Sequence, residues 1–113
     1  MPDFPSSQRL SDSSSILLML KRRQYIKTEF FFFYYLKNDL PFHRLAVSVS
    51  RKIGRAVERN YIKRRMRDLY SQNREKLKEG HDLWILMKKN FSKPDSNEIE
   101  KIFIETLLKI NDK

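Results

Sequence analysis

Seventeen consecutive positions, Arg51–Arg67, carry eight Lys or Arg residues and a single acid, Glu58. That stretch alone holds a net +7 of a chain whose formal charge is +10. Fixed cations at this density attract polyanions. A guanidinium fork takes two phosphate oxygens at once, and an ammonium group adds a point charge. The other residues able to do chemistry are two histidines, His43 and His81. A histidine pair can serve as general acid and base, which would make the protein a nuclease in its own right. Against that, His43 falls in a turn, His81 opens a strand, and no carboxylate cluster beside them suits a metal. The chain has no cysteine, so disulfides and cysteine-ligated metals are excluded.

The basic residues form a surface only if a helix gathers them. At about 100° per residue, Ile62, Met66 and Leu69 fall in one narrow stripe, expected to face a core. Lys63, Ala56, Arg67, Asn60 and Arg64 share a separate arc, with Arg59 and Tyr70 between the two faces. Ala56 is small enough to let a polyanion backbone approach, and Asn60 both donates and accepts hydrogen bonds. Gly54 breaks the chain before this helix, which is expected over Arg55 to Gln72. Its free N–H groups and dipole would add a phosphate site beside Arg51, Lys52 and Arg55. A merely solvated face is the bland alternative, but such faces mix signs and this one has almost no acid.

The remaining elements follow from local pattern. Ser11, Asp12 and Ser13 offer N-cap oxygens to a short helix at Ile16–Arg23, with Ile16, Met19, Leu20 and Arg23 on one face; its five consecutive apolar residues also fit a strand. Phe30–Tyr35 has strong β propensity and sits in a strand at Glu29–Lys37. Asn38–Pro41 is a turn, and Arg44–Ser50 alternates as a half-buried strand. These two strands are expected to form an antiparallel hairpin. His81–Met87 reads as a buried strand and Asn90–Pro94 as a loop. Asp95-x-x-Glu98 reads as a capping box. It would open an amphipathic helix marked by Ile99, Ile102, Phe103, Leu107 and Ile110. The expected fold class is α+β: a two-layer sandwich with a small sheet of about four strands and a basic crossover helix. Residues 1–9 are expected to be a disordered tail and 10–113 a single RNA-binding domain. No apolar run approaches the roughly 20 residues of a spanning helix. No basic-then-apolar leader opens the sequence, and the basic face lacks the apolar flank of a membrane-surface helix. A cytoplasmic protein without membrane contact is expected.

The run Ser50-Arg51-Lys52-Ile53-Gly54-Arg55-Ala56-Val57-x-Arg59-Asn60-x-Ile62-Lys63-Arg64-x-x-Arg67 resembles the signature of the bacterial ribonuclease P protein subunit. That signature has a basic pair, a glycine, an Ala-Val step, Arg-Asn-Arg, and a Lys-Arg-x-x-Arg tail. Tyr61 stands where the family has its second arginine. The resemblance covers roughly Leu10–Ile110. It implies a protein that pairs with a large catalytic RNA and assists removal of the 5′ leader from precursor tRNA. Hydrolysis would belong to the RNA and its magnesium ions. The protein would then have no catalytic residue, no cofactor or metal held by its side chains, and no obligate protein partner. Arg51, Lys52, Arg55, Arg59, Asn60, Lys63, Arg64 and Arg67 would bind the catalytic RNA. A cleft of Ile16, Leu20, Phe32 and Tyr34 would bind the leader. The family tends to have aromatics at the first two of these positions, so Ile16 and Leu20 would act by apolar contact alone. The resemblance also implies a left-handed βαβ crossover, against the general right-handed preference. One face of the aromatic strand, Phe31 with Phe33 or Phe30 with Phe32, is expected in the core, and the other toward RNA. Two further alternatives are a purely structural RNA-binding protein, such as a ribosomal one, and a helix-turn-helix DNA binder. The first is separated only by the Arg-Asn-x-x-Lys-Arg signature. The second needs a helix before the basic one, where a strand is expected.

Overall fold

The computed structural model describes residues 13–91 and 95–112, with side chains from residue 16 onward. The expected tail over 1–9, the caps Ser11 and Asp12, and positions 92–94 of the expected loop lie outside the described residues. The elements in order are α1 (Ser13–Arg22), β1 (Tyr25–Lys27), β2 (Phe31–Lys37), β3 (Arg44–Ser48), α2 (Ala56–Asn73), β4 (His81–Met87) and α3 (Ser96–Asn111).

Strand β4, His-Asp-Leu-Trp-Ile-Leu-Met, is buried at six of its seven positions and lies inside a four-stranded sheet of order β1-β2-β4-β3. It runs antiparallel to β2 and parallel to β3. The expected β2–β3 hairpin is therefore wrong, because β4 separates the two strands. A strand that is apolar on both faces gains most where both faces are covered, and the half-polar β3 is left at the edge. Parallel partners also need a long crossover, and α2 supplies it. The hairpin that does form joins β1 to β2, with Tyr25 opposite Tyr34 and Lys27 opposite Phe32. Thr28 closes its turn: the Thr28 N–H donates to the Phe31 carbonyl at 2.9 Å, and Thr28 Oγ1 accepts from the Phe31 N–H at 3.1 Å.

One face of the sheet carries the main core. Phe31, Phe33, Leu45, Leu83 and Ile85 pack with Ile62, Met66 and Leu69 of α2 and with Ile99, Phe103 and Leu107 of α3. Phe31 and Phe33 lie 6.4 and 5.6 Å from the Phe103 ring, so they are the core pair of the aromatic run. Phe30, just outside β2, is buried as well, edge-on to Phe91 at 6.4 Å. Tyr70, expected between the faces of α2, is wholly enclosed in this core, and burial pushes its hydroxyl pKa up to about 12. Helix α2 meets both the sheet and α3, so its apolar stripe is wider than three residues.

The start of α3 differs from expectation. Asp95 has helical angles (φ −83, ψ −7) and forms no side-chain cap, so the Asp95–Glu98 capping box is absent. A capping residue needs extended backbone to turn its oxygen back to the helix. The connection from β2 to β3 is tied to β4. Asn38 donates its N–H to the Gly80 carbonyl at 3.2 Å and its Nδ2 to Asp82 Oδ1 at 2.9 Å. Arg44 grips Asp82, 2% exposed, in a two-pronged pair at 2.7 and 2.6 Å.

Candidate nucleic-acid interface

With Ile62, Met66 and Leu69 buried, the other side of α2 faces out. Asn60 and Arg64 are exposed, and Lys63 and Arg67 are half-buried along the same side. Arg51 and Lys52 lie exposed in a 3-10 turn, Arg51–Ile53, and Arg55 is exposed at the helix N-cap. Arg59 is half-buried, and its enclosed Nε meets no acceptor among the described residues. Arg65 turns away toward α3, 3.9 Å from Glu100, so it is outside the cationic arc. Tyr61 is also outside it, half-buried with its ring 6.0 Å from Phe91. Aromatic packing occupies the place where the resemblance would put an arginine.

Glu58 explains the lone acid in this stretch. Its Oε1 accepts the Arg55 N–H at 3.0 Å, and its Oε2 accepts Asn90 Nδ2 at 2.8 Å. The Arg55 bond first, then the Asn90 bond, hold its carboxyl below the usual range. Glu58 thus takes one N–H from the expected phosphate site and fastens the β4 exit to the start of α2. That contact brings Lys88 and Lys89 to the same end of the molecule as Arg51, Lys52 and Arg55. Sequence pattern alone placed neither lysine in the site, because they only punctuate the end of a strand.

The second face of the sheet is aromatic. Tyr34 stacks on Trp84, with centroids 4.9 Å apart and planes at 29°. Tyr25 lies on the other side of Tyr34 at 5.2 Å and meets Phe32 edge-on at 5.7 Å. Lys88 Nζ stands 5.3 Å from the Phe32 centroid and Lys27 Nζ 6.0 Å, a cationic rim on an aromatic floor. Helix α1 covers part of this face by burying Met19 against Trp84, with Ile16 half-buried beside it. The structure thus brings Ile16 and Tyr34 into one cluster, with Phe32 on the same face. Leu20 is not packed there; it is 41% exposed. Trp84 and Tyr25 were not expected in the site. Trp84 hides in a continuous apolar strand, and Tyr25 lies in a strand of three residues.

Both histidines are engaged by backbone groups. His43 Nε2 donates to the Leu77 carbonyl at 3.2 Å, and Nδ1 accepts the His81 N–H at 3.1 Å. His81 is buried and hydrogen-bonds Glu79 O through Nδ1 at 2.7 Å. Among the described residues, no three His, Asp or Glu side chains gather as a metal-ligand group, and no helix is long and apolar enough to cross a membrane.

A mixed sheet backed by two helices, with a cationic side on one helix and an aromatic row on the second face of the sheet, defines a small RNA-binding protein of α+β class. The chain belongs to the family described as Ribonuclease P, whose profile matches residues 4–111. It is 45% identical over 56 residues to the ribonuclease P protein component of Syntrophus aciditrophicus, a match spanning 50% of this chain and 47% of that relative. It is 38% identical over 74 residues to the component of Clostridium botulinum, spanning 65% of this chain and 67% of the relative. The matched stretch is thus about half the length of the first relative and two thirds of the second. Among solved structures, the ribonuclease P protein of Thermotoga maritima superposes with a TM-score of 0.68 at 28% identity, over 90% of this chain and 93% of that one. RNA binding and tRNA 5′ processing are the family's role, and a protein component implies a partner RNA subunit within a ribonucleoprotein nuclease.

Proposed function

We propose that this chain binds the catalytic RNA through α2 and holds the 5′ leader of precursor tRNA on the open sheet face, in the cytoplasm. The RNA then hydrolyses the phosphodiester at the mature 5′ end. In this assignment Arg51, Lys52, Arg55, Arg59, Asn60, Lys63, Arg64 and Arg67 neutralise backbone phosphates of the catalytic RNA. Phe32 and Tyr34, with Ile16 as an apolar wall, contact the single-stranded leader. Leu20 is exposed enough to touch it only at the rim. The observations that support the proposal are an exposed cationic side on α2 and an aromatic row on the second face of the sheet, carried by one small domain in which Glu58 at the start of α2 binds Asn90 just beyond β4. An RNA lying along α2 and a single strand crossing the sheet are then held by the same domain. Single strands are bound without base readout by such a pairing of cationic groove and aromatic floor.

Cleavage of a phosphodiester by water needs charge stabilisation and an oriented nucleophile. With both histidines engaged by backbone groups, we assign no such step to a side chain here. Magnesium ions on the RNA subunit would supply the stabilisation. The protein contributes binding and orientation. Reconstitution with a matching catalytic RNA at low magnesium tests the proposal. The complex should cleave precursor tRNA at magnesium concentrations where the RNA alone is slow, and the protein alone should cut nothing. His43→Ala and His81→Ala should leave single-turnover cleavage nearly intact at saturating protein. A metal-dependent activity of RNA-free protein, lost in either histidine variant, would overturn the proposal in favour of a protein nuclease.

A further inference from the structure

The aromatic face contains a row of three rings in strand order: Tyr25 on β1, Tyr34 on β2 and Trp84 on β4. Pairing register puts them side by side, with Tyr25 opposite Tyr34 and Tyr34 opposite Trp84. The row is fixed at its inner end. Trp84 is 9% exposed, packs under Met19 of α1, and donates its Nε1–H to Ser48 Oγ at 2.9 Å. Tyr34 is flanked by both neighbours, at 4.9 and 5.2 Å. These are ring–ring contact distances, so no third ring fits against either side of Tyr34. Tyr25 is different. It ends the row on the edge strand and is 42% exposed. Its strand neighbour Ile26 points the other way, into the main core, which anchors β1 and fixes the side Tyr25 occupies.

The chain on either side of Tyr25, from residue 13 to residue 28, carries charge of one sign. Lys21, Arg22, Arg23 and Lys27 are all exposed, and no acid occurs between residues 13 and 28. Lys27 lies two residues along the same strand face, about 7 Å away at the usual strand rise. A phosphate flanking a base on Tyr25 would therefore find a cation on either side.

We propose that Tyr25 is the residue that stacks an unpaired base of the leader, and that Tyr34 and Trp84 form its rigid backing. The inference rests on the sheet face receiving the leader, and it assigns the stacking role to a residue of β1 rather than to Tyr34. Stacking needs a ring with an accessible π-face and is indifferent to the phenol hydroxyl. Holding the ring in place beforehand lowers the entropy lost on binding.

The test uses the reconstituted holoenzyme and two substrates, leader-bearing precursor tRNA and leaderless tRNA. Wild type should prefer the leader-bearing substrate. Tyr25→Ala should weaken binding of that substrate about 5- to 150-fold, the range for losing one base–ring stack, and leave leaderless tRNA unchanged. Tyr25→Phe should bind like wild type. Tyr25→Leu keeps apolar bulk without a ring and should lose most of what the alanine variant loses. If wild type shows the preference and Tyr25→Ala keeps it, or if Tyr25→Ala weakens both substrates alike, Tyr25 is not the stacking residue and the leader is held elsewhere on the face. If wild type shows no preference at all, the assignment of the face to the leader fails together with the role of Tyr25.

Discussion

His43 is a structural link between two loops, and its protonation state is fixed by what it holds. Nδ1 accepts the His81 N–H, so a proton there would set two donors against each other. Burial pushes its pKa below the ordinary 6.5; the bond to Leu77 opposes this, and electrostatic repulsion from the neighbouring His81 adds to it. A depressed folded-state value means that the unfolded chain binds the proton first as pH falls. Stability from His43 is therefore full above 6.5 and lost as pH falls through the lower folded value. The denaturation midpoint should drop as pH falls below about 6.5. His43→Gln, which keeps one acceptor and one donor, should flatten that window. Glu58 and Glu79, both depressed by hydrogen bonds, lose their contributions only below the ordinary 4.5, so their effect is separate. An unchanged slope in His43→Gln would place the titrating group elsewhere. At this scale the cationic residues were legible in sequence, because charge density needs no fold to be counted. Tyr25, Trp84 and Lys88 were not, because only strand pairing brings them beside Phe32 and Tyr34.

Among the elements, α2 and β4 were the most legible. The core stripe of α2 survives intact: Ile62, Met66 and Leu69 are all fully buried. Leu69→Ala should cost about 2–5 kcal/mol by chemical denaturation, the range for a buried large-to-small change. A wild-type midpoint would mean the helix is rotated from the arrangement described. Strand order was not legible. Local alternation in Arg44–Ser48 fits a hairpin or an edge strand equally well, and only the competing apolarity of β4 decides between them. Strand β1 was invisible because three residues cannot display an alternation. The loop joining β2 to β3 shows a further dependence on distant chain. A Cβ on Gly80 would run into the Leu40 carbonyl oxygen and stand 2.7 Å from Asn38 Oδ1. Gly80→Ala should therefore destabilise by about 1–3 kcal/mol, the usual cost of overpacking, and a thermal melt would register it. No change would show that the loop retreats without loss.

For the whole molecule the governing quantity is where the charge lies. The arc of α2 carries fixed cations that no described acid neutralises, apart from Glu58 at its start. Arg64→Ala and Arg67→Ala should each weaken binding of the catalytic RNA and lower the slope of log affinity against log salt by roughly 0.7–0.9 per lost phosphate contact. Filter binding across a salt series measures both. Unchanged affinity and slope in both variants would remove this face from the interface. The position of β4 has another consequence, for the order in which the protein can be made. An inner strand of the sheet, β4, is also its last in the chain, so β2, paired only with β1, and β3 leave the ribosome with the edges that will flank β4 still bare. The cationic helix is complete before the sheet it will rest on. Until Met87 has emerged, nothing can close the sheet, and a stalled or truncated chain would present open strand edges, which invite aggregation. Assembly with a polyanion is then safest after synthesis of the chain is finished, when the helix has a sheet to hold it.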